Sequence, residues 1–237
     1  MTMTCRITDK EKDKNKKTAI ILLSGGLDSA VSIAKSKAEI KKGIIFDYGQ
    51  ISFKYENAAA KKLAEHYGFE LITLKLDWLK KIIHNGLTSP DLAYKINNFS
   101  DKKELETSMK SVWIPNRNAL FINIAAAFCE AENIDCVIIG ANKEEGETFK
   151  DNSETFIKKC NELLKFSTNT NVKVLAPLIK LDKKEIIQEA IKLNVPLEYI
   201  YSCYSGLKKH CGKCESCLHL KNALILNKRK DLIKKLF

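Results

Sequence analysis

The chain has 237 residues and 45% hydrophobic content, enough for one large domain with a sizeable core or for a domain with an appendage. No apolar run reaches the length that crosses a membrane, and the lysine-rich N-terminus lacks the apolar stretch of a secretory signal, so we expect a cytoplasmic protein without membrane association. The formal net charge of +11 favours a solvated lysine-rich surface over a nucleic-acid track, since no segment clusters basic with aromatic residues.

The first predicted strand leads into a glycine-rich turn. Residues 18–21 are apolar and β-branched, and residues 30–34 have a helical pattern with Asp28 or Ser29 near the N-cap. Between them lies Ser24-Gly-Gly-Leu-Asp-Ser29, here called the glycine turn. Glycines let the backbone approach a ligand, and the first N–H groups of a helix attract an anion. The turn therefore predicts a phosphate site, although an ordinary strand-to-helix turn with two glycines is the alternative. It has neither the lysine of a P-loop nor a dinucleotide fingerprint.

Strands and helices then alternate along the chain. Further strands are predicted within 42–50, 69–76, 135–140 and 172–178, with helices at 53–66, 119–132, 153–166 and 182–193. This alternation is typical of an α/β fold with a Rossmann-like parallel five-stranded sheet and helices on both faces. Residues 1–17 are predicted as a flexible basic arm, and the irregular stretch 78–112 as a lid or insert that closes over a substrate.

Polar residues follow several of the predicted strands. Ligands of parallel sheets bind beyond the carboxyl ends of the strands, so the glycine turn and residues 47–50 can face one pocket. Arg117 lies near a helix start, where the macrodipole disfavours it, which indicates that it reaches for an anion unless it is a solvated surface arginine. Asn142 with the acidic residues after it predicts an ordered loop or a metal site next to ATP, with plain loop polarity as the alternative.

Four of the eight cysteines are clustered near the C-terminus. Cys203, Cys211, Cys214 and Cys217 supply four soft ligands at the spacing typical of structural zinc, with an iron–sulfur cluster as the alternative. We expect this ion to brace the C-terminal helices, with His210 and His219 as bystanders. Cys129, Cys136 and Cys160 stand in apolar contexts and are expected in the core.

Taken together, these motifs resemble the 7-cyano-7-deazaguanine synthase family, within the PP-loop ATP pyrophosphatase superfamily, and look like its archaeal branch. The matches are Ser24-Gly-Gly-Leu-Asp-Ser29, Asp47-Tyr-Gly-Gln50, Pro115-Asn-Arg-Asn118, Gly140-Ala-Asn142, and Ser202-Cys-Tyr204 with the three later cysteines. The sequence departs from the common family form at Asn116, where glycine is usual, and at residues 148–152, where only Asp151 remains of a Tyr-Pro-Asp-Cys-Arg run.

The resemblance implies a ligase that converts 7-carboxy-7-deazaguanine and ammonia to the nitrile with ATP, through an adenylated carboxylate and an amide. It also implies Mg²⁺, structural Zn²⁺, a homodimer, an ATP-binding domain at 18–200 and a zinc-binding region at 201–237. Nucleotide binding is implied for Leu23, Ser24, Gly25, Gly26, Leu27, Asp28, Ser29, Ala30, Val31, Ser32, Ile33 and Phe46. Substrate binding is implied for Tyr48, Gln50, Asn116, Arg117, Asn118, Asn142 and Asp151, and catalysis for Asp28, Ser29 and Arg117.

Two other functions remain open from the sequence. A tRNA-modifying PP-loop enzyme would use the positive charge to bind RNA. A zinc-ribbon module without enzymatic activity would explain the cysteines but would leave the glycine turn without a role. Activity on the free base without RNA separates the first alternative from the nitrile-forming enzyme.

Overall fold

Five parallel strands form the centre of the molecule. The structure, a computed structural model, describes residues 16–92 and 101–237. The strands are β1 (Thr18–Leu22), β2 (Glu39–Asp47), β3 (Glu70–Lys75), β4 (Cys136–Ile138) and β5 (Lys173–Leu175). They make one sheet in the order β3-β2-β1-β4-β5, with every pairing parallel. The predicted fold class is thereby confirmed. Most of the predicted N-terminal arm lies outside the described residues.

Ten α-helices occur in the described part of the chain. They are α1 (Leu27–Lys35), α2 (Phe53–Tyr67), α3 (Asp77–Ile82), α4 (Lys102–Ser111), α5 (Arg117–Ala131), α6 (Lys143–Thr148), α7 (Glu154–Ser167), α8 (Lys183–Lys192), α9 (Glu215–Leu226) and α10 (Lys230–Leu236). Helices α3 and α4 occupy the stretch 78–112 that the sequence predicted as irregular, and residues 93–100 of that stretch are outside the described part. Helix α6 forms where a loop was expected, because Asn142 caps it by accepting a hydrogen bond from Glu145 N at 3.0 Å.

Helices cover both faces of the sheet because successive side chains of a strand point to opposite sides. In β1, Ala19 and Ile21 belong to the core cluster that includes residues of α1, α8, α9 and α10. Ile20 and Leu22 belong to the cluster that includes residues of α3, α5 and α7. The central strand β1 is therefore almost entirely buried, and the turn that follows it is held from both sides.

Helix α1 begins earlier than the sequence predicted. Its N-cap is Gly26, in an extended conformation, rather than Asp28 or Ser29. Leu27 starts the helix because its side chain is buried in the core, 3% exposed, where it packs with Ala30 and Val31. As a result Asp28 and Ser29 lie within the first helical turn, and their side chains face the end of the sheet.

The C-terminal helices share the core of the sheet domain. Leu220 and Leu224 of α9 and Leu232 and Leu236 of α10 are buried in the same cluster as α1 and α8. In addition, Tyr201 N donates a hydrogen bond of 2.8 Å to Gly25 O. The region that carries the cysteines is thus bound directly to the glycine turn. Across the described residues, no helix combines the length and the apolar character needed to span a bilayer.

Candidate active site

A cavity of about 530 Å³ opens at the carboxyl ends of the strands. The glycine turn lines it together with the ends of β2 and β4, helix α6, the starts of α5, α8 and α9, and the segment 201–204. This volume lies within the range of small-molecule sites. Most of the predicted site residues line it: Leu23, Ser24, Gly26, Leu27, Asp28, Ser29, Phe46, Tyr48, Gln50, Arg117, Asn118 and Asp151.

The glycine turn presents hydroxyl groups to this cavity. Ser24 Oγ and Ser29 Oγ are 3.2 Å apart, and Ser24 Oγ accepts a hydrogen bond of 3.3 Å from Gly26 N. Ser29 Oγ lies 3.1 Å from the Gly26 carbonyl oxygen, to which it donates. Gly26 carries no side chain that could cap α1. The first turn of α1 therefore brings N–H and O–H groups together at the cavity, which suits an anion.

Gly25 makes the turn possible through its backbone. Its φ is +77°, a region that favours glycine, and a Cβ at this position would lie 2.5 Å from the carbonyl oxygen of Glu56. The turn is consequently pressed against the start of α2. Gly25 itself does not line the cavity. Its lack of a side chain lets the backbone of the glycine turn approach the backbone of α2 closely.

Lys183 places a largely buried positive charge next to the first turn of α1, with 14% of its side chain exposed. Its ammonium group lies 2.6 Å from Asp28 Oδ2 and 2.8 Å from Glu145 Oε1. Burial raises the pKa of Asp28 to about 6, although Lys183 opposes the shift. Burial opposes the charged form of Lys183 as well, but the two carboxylates outweigh it and raise its pKa. The second oxygen of Asp28, Oδ1, is buried and has no hydrogen-bond partner among the described residues.

The cavity is acidic although the protein is basic overall. Seven carboxylate side chains line it, against the fixed positive charges of Arg117 and Lys183 and the imidazole of His219; the acids are Asp28, Glu56, Glu144, Glu145, Glu147, Asp151 and Glu215. Buried oxygens of Asp28, Asp151 and Glu215 also lack partners within the described chain. Unpaired buried carboxylate oxygens are costly, so this arrangement favours a ligand that brings donors or a cation.

Arg117 and Asp151 form a second polar group in the cavity lining. The pKa of Arg117 is raised: burial opposes its charge, and the neighbouring Tyr48 hydroxyl and Asp151 carboxylate more than compensate. Burial raises the pKa of Asp151, which Arg117 counteracts. Asn118 fixes this segment because its Nδ2 donates 3.1 Å to the Asp151 carbonyl oxygen. One planar ligand can accept a hydrogen bond from the Arg117 guanidinium and donate one to the unpaired Asp151 Oδ1.

Aromatic rings flank this second group. Phe46 and Phe121 stack with centroids 4.0 Å apart, and the Tyr48 ring lies 5.9 Å from Phe121. Trp113 and Phe149 face each other with centroids 5.6 Å apart and planes only 12° from parallel. Flat apolar surfaces of this kind accept a heteroaromatic ring.

Several other predicted residues lie outside the cavity lining and support the surrounding helices. Ala30, Val31, Ser32 and Ile33 lie in the buried face of α1, away from the cavity. Asn142 is fully buried and caps α6, and Asn116 precedes α5 in the left-handed region with φ of 57°. The structure does not bring these side chains into the cavity lining, so their contact with ligands stays a prediction.

Gln50 lines the cavity, but its amide serves the loop. Its Nε2 donates to Phe46 O at 2.9 Å and to Glu56 Oε2 at 3.0 Å, and its Oε1 accepts from Tyr48 N at 3.0 Å. Glu56 also accepts 2.6 Å from Ser52 Oγ. These bonds hold the loop after β2, and with it Tyr48, against the start of α2.

Sequence reasoning missed several cavity residues, above all Lys183. Its signal was a basic residue at the first position of a helix, the same signal that drew attention to Arg117. However, α4, α6 and α10 also begin with lysine, so this signal alone does not single out Lys183. Other polar or aromatic lining residues that were missed include Glu56, Trp113, Phe121, Phe149, Ser202, Tyr204 and Glu215.

The four predicted metal ligands come together. Cys203, Cys211, Cys214 and Cys217 place their sulfur atoms within 4.8 Å of one another. Tetrahedral zinc with bonds of about 2.3 Å requires sulfurs about 3.8 Å apart, and the Sγ atoms of Cys211 and Cys217 are 3.8 Å apart. The N–H groups of Cys211 and Cys214 donate to sulfurs of the cluster at 3.3 Å, which stabilises thiolates. The cluster is therefore compatible with zinc. The other described cysteines are buried and form no disulfide; they are Cys129, Cys136 and Cys160.

Comparison with known proteins gives a consistent result. A family model described as queuosine biosynthesis protein QueC matches residues 18–228. A 7-cyano-7-deazaguanine synthase from Methanosarcina mazei is 44% identical over 208 residues, which cover 84% of this chain and 90% of that protein. The synthase from Methanothermobacter thermautotrophicus is 42% identical over 209 residues, covering 88% and 94%. That from Carboxydothermus hydrogenoformans is 42% identical over 208 residues, covering 86% and 97%. The matched region includes both the cavity and the cysteine cluster.

Proposed function

Since the chain belongs to the queuosine biosynthesis protein QueC family, we propose that it is the enzyme that makes 7-cyano-7-deazaguanine from 7-carboxy-7-deazaguanine, ammonia and ATP. Its membership confirms the resemblance seen in the motifs, and the names of its relatives indicate a synthase. The observation that carries the proposal is the cavity itself. It joins an anion-binding turn to a polar group that suits a planar base, within one volume of about 530 Å³.

A carboxylate needs activation because oxide is too poor a leaving group for ammonia to displace. Transfer of adenylate from ATP to the substrate carboxylate releases pyrophosphate and leaves AMP as the leaving group. Ammonia then forms the amide and displaces AMP. A second adenylation, on the amide oxygen, lets AMP leave with that oxygen as two protons are lost from nitrogen, and the nitrile results. Both adenylation steps need the phosphates of ATP held next to the reacting oxygen of the substrate.

We assign the phosphates to the glycine turn. Ser24 and Ser29 supply hydroxyl groups, and the open start of α1 supplies N–H groups and its dipole. Lys183 lies in front of this helix and would stabilise the negative charge that develops on the leaving pyrophosphate. The same contacts account for the catalytic roles assigned to Asp28 and Ser29.

Mg²⁺ fits the acidic side of this site. The unpaired Oδ1 of Asp28 and the carboxylate of Glu145 are hard oxygen donors next to the phosphate position. The ion would neutralise phosphate charge in a cavity whose own carboxylates repel ATP. Asp28 and Glu145 are therefore proposed to hold it.

We assign the base to the region of Arg117 and Asp151. A guanine-type ring presents adjacent N–H donors and one carbonyl acceptor along its edge. The buried, unpaired Asp151 Oδ1 can accept from those donors, and Arg117 can bind the carbonyl or the reacting carboxylate. Trp113 and Phe149 lie nearly parallel and would pack against the ring face.

The test is product analysis by mass spectrometry. The chain is incubated with ATP, Mg²⁺, ammonium and 7-carboxy-7-deazaguanine, without RNA. We expect a product whose mass matches the nitrile and, at early times, the amide. The Asp28→Ala variant should form neither, and Lys158→Ala, an exposed change on α7, should behave as wild type. Absence of both products from the wild type, with zinc bound, would refute the proposal.

The predicted homodimer and cytoplasmic location belong to this proposal as well. Light scattering coupled to size exclusion measures the first. A monomeric mass at micromolar concentration with full activity would contradict a requirement for the dimer.

A further inference from the structure

We propose that Ser202 is a phosphate-binding residue of the nucleotide site and that His210 is the positioning residue that holds it there. The inference rests on the proposed ATP site and extends it to the segment that carries the cysteines. That segment was expected only to brace the C-terminal helices. The structure instead connects it to the glycine turn through a continuous chain of hydrogen bonds.

Ser202 lies in the wall of the cavity and touches the start of α1. Its Oγ accepts a hydrogen bond of 3.3 Å from Leu27 N, the first N–H group of the helix. A Cβ at Gly26 would lie 3.4 Å from Ser24 Oγ and 3.5 Å from Ser202 Oγ, so both hydroxyl groups flank the same point of the turn. Because the Ser202 oxygen is the acceptor in this bond, its proton remains for a ligand. Leu27 N–H is therefore occupied by Ser202 Oγ, and the hydroxyl proton of Ser202 can donate to a ligand in the cavity.

His210 fixes the backbone of Ser202. Its Nε2 accepts a hydrogen bond of 3.0 Å from Ser202 N. Since Nε2 accepts, Nδ1 carries the proton in the neutral ring, and Nδ1 lies 3.2 Å from Leu236 O. His210 N also donates 3.2 Å to Leu236 O. The imidazole is buried, 6% exposed, between the rings of Tyr201 and Phe237.

A second link runs beside the first. Tyr201 N donates to Gly25 O at 2.8 Å, and Tyr201 stacks on Tyr55 of α2 with centroids 5.3 Å apart. Two consecutive residues therefore hydrogen-bond to the glycine turn: Tyr201 donates through its backbone N–H, and Ser202 accepts through its hydroxyl oxygen. The first cysteine of the cluster, Cys203, is the next residue along the chain. This placement gives Ser202 of the Ser202-Cys203-Tyr204 motif a role beside the candidate metal ligand Cys203.

The decisive experiment measures ATP affinity. Binding of Mg²⁺ and ATP to the zinc-loaded protein is followed by calorimetry without the base substrate, for wild type, Ser202→Ala and Ser202→Thr. Loss of a hydrogen bond to a charged ligand predicts a rise in Kd of about 10- to 100-fold for Ser202→Ala. Ser202→Thr keeps the hydroxyl and should stay near the wild-type value. Lys208→Ala, an exposed change in the same segment, is the matched control.

His210 is tested by its ring acceptor. His210→Gln offers an oxygen near the position of Nε2, whereas His210→Phe fills the space without an acceptor. On the zinc-containing fraction, we expect His210→Phe to raise the Kd for ATP by about 3- to 10-fold, in line with loss of one neutral hydrogen bond, and His210→Gln to restore it. The KM for 7-carboxy-7-deazaguanine should stay unchanged in all these variants.

The outcomes separate this inference from the proposed function. If wild type binds no ATP, the proposed function fails. If wild type binds ATP and Ser202→Ala binds it equally well, the function stands and the Ser202 assignment is wrong. Equal ATP affinities of His210→Phe and wild type would overturn the role of His210.

Discussion

Two helices, α1 and α8, begin at the same cavity, and only α8 has a capping side chain of its own. Helix α8 closes its own end with a capping box, in which Asp182 accepts 2.8 Å from Glu185 N and Glu185 accepts 2.9 Å from Asp182 N. Helix α1 begins after Gly26, which has no capping side chain. The capping contact at α1 comes from Ser202, far along the chain.

The difference shows which helix start is available to a ligand. The first N–H groups of a helix need acceptors. At α8, Asp182 accepts from Glu185 N within the helix end itself, and Glu144 Oε1 of α6 accepts 2.9 Å from Lys183 N. At α1 the acceptor comes from Ser202, and a bound anion can accept hydrogen bonds from the remaining N–H groups of the first turn. Helix α8 contributes instead through its first residue, Lys183, whose ammonium group forms an ion pair with Asp28 of α1. The start of α1 is the proposed phosphate site, and α8 contributes the positive charge of Lys183 next to it.

The largest expected effect concerns the cysteine cluster, which lies next to Ser202, the capping contact of α1. Cys217→Ala removes a fully buried ligand and should abolish zinc binding, costing roughly 3 kcal/mol or more of unfolding free energy. Cys160→Ala, in the core outside the cluster, should cost about 1 to 2 kcal/mol and keep the metal. Metal content and urea unfolding measure both. Retention of zinc by Cys217→Ala would contradict the assignment.

The next effect concerns the backbone of the glycine turn. Gly25→Ala meets both a positive φ and the Glu56 carbonyl oxygen at 2.5 Å. Gly68 has a similar φ of +73° at the end of α2, with no atom within 4 Å of its Cβ position, so Gly68→Ala isolates the cost of φ. We expect about 1 kcal/mol for Gly68→Ala and about 2 to 4 kcal/mol for Gly25→Ala. ATP binding should be lost only in Gly25→Ala. Equal costs would show that the turn can relax.

A pH series tests the charge in the first turn of α1. The folded pKa of Asp28, about 6, lies above its unfolded value of about 3.9. Protonation therefore stabilises the fold below the unfolded pKa, and this contribution is lost as the pH rises through 6. The unfolding free energy of wild type should fall by about 2 to 3 kcal/mol relative to Asp28→Asn between roughly pH 4 and pH 7. Parallel curves for the two proteins would contradict the raised pKa.

The smallest expected effect lies at the closed end of α8. Asp182→Ala removes the capping box and should cost about 1 kcal/mol, whereas Asp182→Asn keeps an acceptor and should cost less. Thermal unfolding measures the difference. ATP affinity should be unchanged in both, since α8 does not offer its N–H groups to the ligand. A weaker affinity in Asp182→Ala alone would show that the two helix ends act together.

Much of the fold was predictable because its signals are local. Strand and helix alternation, the apolar runs of β1 and β4, and the capping box of α8 all depend on residues close in sequence. The glycine turn and the cysteine spacing likewise carry their chemistry in a few adjacent residues. The helices within 78–112 were missed because that stretch has few apolar repeats and several turn residues.

The sequence by itself determined the order of the strands, the glycine turn and the candidate metal ligands, since each depends on neighbours along the chain. Only the tertiary structure decided that Lys183 meets Asp28, and that Ser202 and His210 hold the start of α1. These contacts join residues more than 150 positions apart, or depend on a C-terminal carbonyl group that reaches back to His210. No periodicity or spacing encodes such contacts, because they arise from how the finished sheet and helices pack.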